Sequence, residues 1–151
     1  MNEVTVQVGG HVTLLFSIHS KQLLARNQGS RGAGLCLEDG VVASVKKLGT
    51  GEDSISVNFM DGTPFVEGRK LYFDLLESFR DLFKIETAVN IDIQLELPVS
   101  QGFGMSGAGL LAASLALGEL FDCGDEGQLA RLAHRHERRN SSGLGDVLGL
   151  W

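Results

Sequence analysis

Residues 97–109 read LPVSQGFGMSGAG. VNIDIQLEL (89–97) leads into them with polar and apolar residues alternating at period two, as in a half-buried strand. LLAASLAL (110–117) leads out, apolar and small, as in a buried helix. Between the two, Gly102, Gly104 and Gly107 stand in the order G-x-G-x-x-G. Such a loop is a dinucleotide cradle, another kind of phosphate cradle, or a Gly-rich turn.

The dinucleotide reading requires a second parallel strand after the helix, ending in an acid that holds the ribose. Here FDCGDEGQLARLA (121–133) follows, and it reads as another helix. The P-loop reading fails because no G-x-x-x-x-G-K-[ST] occurs. A different cradle survives. Glycines let backbone N–H groups approach an anion closely, and a helix starting at about Met105 aims its free N–H groups and positive dipole end at it. Ser106 adds a hydroxyl able to bind phosphate or magnesium, and Gly107, Ala108 and Gly109 let the first turn pack close to a sheet. A tight strand-to-helix turn with no ligand fits the same residues equally well.

Working outward, EVTVQV (3–8), HVTLLFSI (11–18) and SISVNFM (54–60) read as strands. GLCL (34–37) and VVASVKKL (41–48) read as two further strands separated by an EDG turn, and KQLLARNQGSRGAG (21–34) as a loop. Asp61-Gly62 is a hairpin-type turn signal. GRKLYFDLLESFRDLF (68–83) has helical period, with Tyr72, Leu75, Leu76, Phe79, Leu82 and Phe83 on one face. DEGQLARLAHRHERR (125–139) is a second such helix, striped by Leu129, Leu132, Ala133 and His136, with Arg131, Arg135 and Arg138 on its wet face. His134 and His136 are two apart and face different ways, so they are not read as a metal pair. The fold class is α+β: a mostly antiparallel sheet with helices on one side.

Composition excludes several classes. The 151 residues are 43% hydrophobic and 21% charged, as in a globular chain with a core, and the net charge of −6 argues against generic nucleic-acid binding. Cys36 and Cys123 lack the spacing of a zinc site or a disulfide framework. MNEVTVQV is no signal peptide, and MSGAGLLAASLALGELF (105–121) reads as a buried helix and not a membrane span. The expected setting is cytoplasmic, without membrane or nucleic-acid partners.

PVSQGFGMSGAG resembles the ATP loop of the GHMP kinases, P-x-x-x-G-[LF]-G-x-S-[SAG]-A, with Pro98, Gly102, Gly104 and Ser106 at matching positions and Met105 in place of the commoner serine. Within that superfamily the chain is most similar to archaeal pantoate kinases. GGHVTLLFSIHS (9–20) resembles their first motif, with Gly9 where proline is usual, and GSRGAGLCLEDGV (29–41) resembles their next segment. The resemblance runs from about residue 8 to residue 148.

The resemblance implies a ribosomal-protein-S5-domain-2-like fold, with residues 1–151 forming the N-terminal ATP-binding domain of the superfamily. It implies ATP and Mg2+ as cofactors, with Gly102, Gly104, Met105, Ser106, Gly107 and Ala108 around the phosphates. Read alone, Glu137 is a solvated helix residue and Asp146 a turn acid. Their spacing, E-x8-D ending in SGLGD, is similar to the family pattern. That pattern makes Glu137 a magnesium ligand with Ser106, and Asp146 the catalytic partner of the attacking hydroxyl. His19, Ser30 and Arg31 are implied on the acceptor side, Arg31 suiting a carboxylate because a guanidinium grips it with two hydrogen bonds.

The expected reaction is ATP-dependent phosphorylation of the pantoate hydroxyl in coenzyme A biosynthesis. A mevalonate- or homoserine-type kinase and a non-catalytic nucleotide-binding half-domain are the alternatives. The resemblance implies a closing C-terminal half, and the expectation is that this chain lacks it. That leads to the expectation of a homodimer or a separate C-terminal half, apolar surface left bare on the sheet or helices, and weak activity alone.

Overall fold

The computed structural model describes residues 1–19, 29–139 and 146–151; of residues 18, 19 and 29–31 it describes the backbone alone. Four strands form one sheet: β1 (Glu3–His19), β2 (Gly29–Lys47), β3 (Ser54–Phe59) and β4 (Val89–Leu95). Their order is β1-β2-β4-β3. The β1–β2 and β2–β4 pairings are antiparallel, and β3 lies parallel to β4, so the sheet is mixed. A parallel pair needs a crossover. Here it contains a 3-10 turn (Val66–Gly68) and helix α1 (Arg69–Phe83). Helices α2 (Met105–Phe121), α3 (Glu126–Arg139) and α4 (Asp146–Leu150) follow β4.

Alternation in β4 sorts its residues by face. Val89, Ile91, Ile93 and Leu95 are buried, and the register sets Ile91 and Ile93 between Val45 and Ala43 of β2 and Ile55 and Val57 of β3. Each such aliphatic side chain contributes roughly 1.5–3 kcal/mol by leaving water. The helices cover this face, with α2 packed on β1, β2 and α3. Nearly all of α2 is buried, which explains why its sequence is apolar all round.

The opposite face is polar and hydrogen-bonded across the strands. Thr5 meets Ser44 at 2.8 Å, Gln7 donates to Glu96 at 2.9 Å, and Ser56 donates to Asp92. Among the described residues, the open face of the sheet is therefore not an apolar one. Instead, apolar exposure collects where β1 and β2 run on beyond their pairing with β4, at Leu14, Leu15, Phe16 and Leu35, and near the end of the chain at Leu148 and Trp151.

Three local expectations are corrected. EDG makes no turn: β2 passes through Glu38, Asp39 and Gly40 without a break. The extra residues are absorbed by a register shift, with Gly9 opposite Gly40 and His11 opposite Cys36. SRGAG belongs to β2 and not to a loop, because it pairs with residues 13–18 of β1. Leu82 is 53% exposed, since α1 buries Tyr72, Leu75, Leu76 and Phe79 and the end of its stripe rotates off the core. Asp61-Gly62 does turn the chain: Gly62 has φ 83°, and the Phe59 N–H donates to Thr63 O at 2.9 Å.

Arg80 of α1 ties down two connections. Its guanidinium grips the Asp53 carboxylate and donates to Thr87 O at 2.8 Å, and Asp53 also accepts the Val89 N–H at 2.9 Å.

Candidate functional site

The loop after β4 reaches α2 through residues with positive φ: Ser100 at 59°, Gly102 at 82° and Gly104 at 64°. Gly104 stands just before the first turn of α2, where no side chain caps the helix. The first intrahelical bond runs from the Ala108 N–H to Gly104 O at 3.0 Å. The N–H groups of Met105, Ser106 and Gly107 precede it, the free donors of a helix N-terminus. With the dipole behind them they suit an anion. Gly102 is exposed, with open space where a side chain would stand. Ala108 is buried beneath this turn.

Strand β1 holds the loop in place. The His11 N–H donates to Phe103 O at 3.0 Å, and a Cβ on Gly10 would stand 2.8 Å from that oxygen, so only glycine fits. The imidazole of His11 lies against Gly104, where a Cβ would collide with its ring. His11 Nε2 faces Asp146 Oδ1 at 3.3 Å and Thr13 Oγ1 at 3.2 Å. Sequence reasoning did not single out His11. The signal was present in the Gly9-Gly10-His11 run, where two small residues bring a strand close enough to a loop for the next side chain to reach across it.

Asp146 starts α4, with its side chain 26% exposed. Gly107 packs directly on it, since a Cβ there would come within 2.9 Å of the Asp146 Cβ. Glu137, on α3, is fully buried. One of its oxygens accepts the Asp146 N–H at 2.7 Å, and the other meets His134 Nδ1 at 2.9 Å. The buried carboxylate thus anchors the start of α4 and sets where Asp146 stands.

Met105 and Ser106 also line a cavity of about 260 Å³ walled by Val57, Phe65, Leu71 and Leu95. The tertiary structure therefore gathers Gly104, Gly107, Glu137, Asp146 and His11 in one contact network, with an apolar cavity opening beside Ser106. The side chains of His19, Ser30 and Arg31 lie outside the described residues. Ser30 and Arg31 pair along the backbone with Ile18 and Ser17 in the outer part of the β1–β2 ribbon.

Chemically, the arrangement offers an anion seat, a partly exposed carboxylate next to it, and a buried carboxylate behind. No helix among the described residues is long and apolar enough to cross a membrane.

Comparison with known proteins bears on the same residues. The family "GHMP kinases N terminal domain" matches residues 70–149. A pantoate kinase of Methanospirillum hungatei is 32% identical over 97% of this chain and 50% of its own length. A pantoate kinase of Thermococcus kodakarensis is 35% identical over 94% of this chain and 47% of its own. A solved structure described as a phosphotransferase related to the CoA biosynthesis pathway superposes with a TM-score of 0.78 at 30% identity, over 98% of this chain and 50% of that one. The chain spans about half the length of the curated relatives it matches.

Proposed function

The chain belongs to the GHMP kinases, and from that premise we propose that it is the nucleotide-binding part of a kinase that moves the γ-phosphoryl group of ATP onto the hydroxyl of pantoate, in the cytoplasm and on the route to coenzyme A. One observation carries the reading: the first turn of α2, uncapped at its start, packs through Gly107 on Asp146, which sets a carboxylate beside an anion seat. The two pantoate kinases at 32% and 35% identity support the choice of acceptor.

Residues 102–108 hold the phosphates, and the cavity beside Ser106 takes the base, whose flat apolar faces suit its aliphatic and aromatic walls. The acceptor oxygen attacks the γ-phosphorus, the bond to the ADP oxygen breaks, and the hydroxyl proton passes to Asp146. Glu137 behind it fixes the backbone that carries Asp146. Ser106 and Glu137 offer hard oxygen donors, which fits magnesium, an ion that takes one or two carboxylates and keeps water and phosphate in its other positions. Such an ion would spread the charge of the triphosphate. Arg31, Ser30 and His19 are assigned to the acceptor and its carboxylate.

The half-length match favours a second reading, a binding half that needs the remainder of the fold for turnover. Titration of ATP by calorimetry, run beside a coupled ADP-release assay over pantoate and other hydroxy acids, separates the two. ATP binding with pantoate-dependent ADP release supports the kinase, and binding without release supports the half-domain. Absence of ATP binding removes both.

A further inference from the structure

Resting on the reading that the cavity beside Ser106 takes the base of ATP, we infer that the Tyr72 hydroxyl recognises that base by donating to one of its ring nitrogens. Tyr72 stands on the buried face of α1 and is 2% exposed. It lines the cavity together with Met105 and Ser106 from the first turn of α2. A Cβ on Gly109 would stand 2.1 Å from the phenol oxygen, so the missing side chain there is what makes room for the hydroxyl. That places the oxygen against α2, about one turn along from Met105. One end of α2 thus serves both parts of the ligand, its free N–H groups toward the phosphates and its side chains toward the cavity.

The fold leaves this hydroxyl unused. It makes no hydrogen bond among the described residues, although a buried tyrosine ordinarily finds a partner. Burial pushes its pKa up from the usual tyrosine value, so the phenol keeps its proton and can donate it. Of the other polar side chains around the cavity, Glu67 and Lys70 are exposed, and Lys70 is already paired with Asp74 at 2.6 Å. Ser106 is half-buried at the anion seat. The aliphatic and aromatic walls sort a ligand by shape, and the phenol is the buried group that can sort it by hydrogen bonding. A flat heteroaromatic ring is then held in one orientation, because turning it leaves the donor unpaired. The ring nitrogens N1, N3 and N7 of adenine each present an in-plane lone pair to such a donor. The unliganded protein already carries the cost of the unpaired hydroxyl, so the bond formed to the base counts toward binding.

The test is a double cycle read by calorimetry on the chain as it stands. The ligands are ATP, its 1-deaza, 3-deaza and 7-deaza analogues, in each of which C–H replaces one ring nitrogen, and inorganic triphosphate. Tyr72→Phe should bind ATP about tenfold more weakly than the parent, about 1.4 kcal/mol. One deaza analogue should bind the parent more weakly by the same factor and should bind parent and variant alike, since each change removes the same bond. The other two analogues should keep the tenfold gap. Inorganic triphosphate, which has no base, should bind parent and variant alike. The urea midpoint of unliganded Tyr72→Phe should equal or exceed that of the parent, because the hydroxyl it loses has no partner in the fold. Equal ATP affinity in the variant, a gap that no analogue closes, or a lower urea midpoint overturns the inference alone. A parent that binds inorganic triphosphate as tightly as ATP refutes the base reading of the cavity and the inference with it, and a parent that binds neither refutes the anion seat as well.

Discussion

Gly107 and Asp146 are in contact: a Cβ built on Gly107 would stand 2.9 Å from the Asp146 Cβ and 3.2 Å from the Val147 nitrogen. The first turn of α2 and the first residue of α4 are thus fitted to each other with no room for a methyl group. Overpacking at such a contact costs about 1–3 kcal/mol, and the better helix propensity of alanine returns about 1 kcal/mol. Gly107→Ala should therefore leave the chain folded but move Asp146. Turnover should drop at least tenfold with ATP affinity within about threefold of the parent. Steady-state kinetics beside calorimetry check this.

Gly104→Val should strike the cradle itself. Gly104 sits at φ 64°, a conformation costly for a β-branched residue, and its Cβ would meet the His11 ring. ATP binding should weaken at least tenfold, about 1.4 kcal/mol. Unchanged affinity in a folded variant would remove the anion seat from the loop.

The two acids should separate. Asp146→Asn keeps the size of the side chain and loses its charge and basicity, so nucleotide binding should persist while most turnover is lost. Glu137→Gln should raise the magnesium concentration needed for half-maximal rate. Glu137→Ala should also destabilise the fold by about 1–3 kcal/mol, because the Asp146 N–H loses its acceptor. Magnesium titrations and urea melts of the three variants give the answer.

Acid should weaken the fold in two stages. Burial, joined by Arg139 and Arg135 and opposed by Asp74, holds the folded His136 below the ordinary histidine value of 6.5. The unfolded chain therefore takes up this proton first, and stability is full above pH 6.5 and falls as pH drops below it. Burial pushes Asp53 upward, but the Arg80 guanidinium and the Val89 N–H outweigh it and hold the carboxyl below its ordinary 3.8. Its contribution is present above pH 3.8 and is lost as pH falls through the lower folded value. Urea midpoints should fall between pH 7.5 and 5 in the parent and be flatter in His136→Gln. Asp53→Asn should remove the second fall.

Self-association should be set by the ribbon and the last helix. Leu14, Leu15, Phe16, Leu35, Leu148 and Trp151 are each more than half exposed. Apolar patches above roughly a few hundred Å² usually mark contacts, and twofold dimers are the commonest closed assembly. Light scattering at micromolar concentration should report a dimer that Phe16→Ser together with Leu35→Ser returns to monomer. A monomeric parent with brisk pantoate phosphorylation would refute both the dimer and the need for further chain.

Where local pattern and burial coincide, the elements were legible in advance. β4 alternates because one face of it meets the helices, and α2 is apolar all round because it is surrounded. Tyr72, Leu75, Leu76 and Phe79 lie on the buried face of α1 that period 3.6 predicts. Reading failed where a bulge looks like a turn. Glu38-Asp39-Gly40 has turn composition, yet β1 on one side and the chain after β4 on the other draw it into the sheet, where the Glu96 carboxylate accepts the Gly40 N–H at 2.7 Å. Glu137 alone looks like a solvated helix residue, and only the fold shows it fully buried.

The sequence by itself determined the glycine spacing of the loop, the mixture of strands and helices and the family resemblance, because glycine spacing and hydrophobic period act over a few residues and are written along the chain. The tertiary structure alone decided that β3 lies parallel to β4 and that the open sheet face is polar. It also decided that His11, from near the chain's start, stands against Gly104 and Asp146. Those outcomes depend on which distant segments share a surface. That is settled by how one core packs, by close approach at Gly10 and Gly107, and by the need of the buried Glu137 carboxylate for partners such as the first N–H of α4.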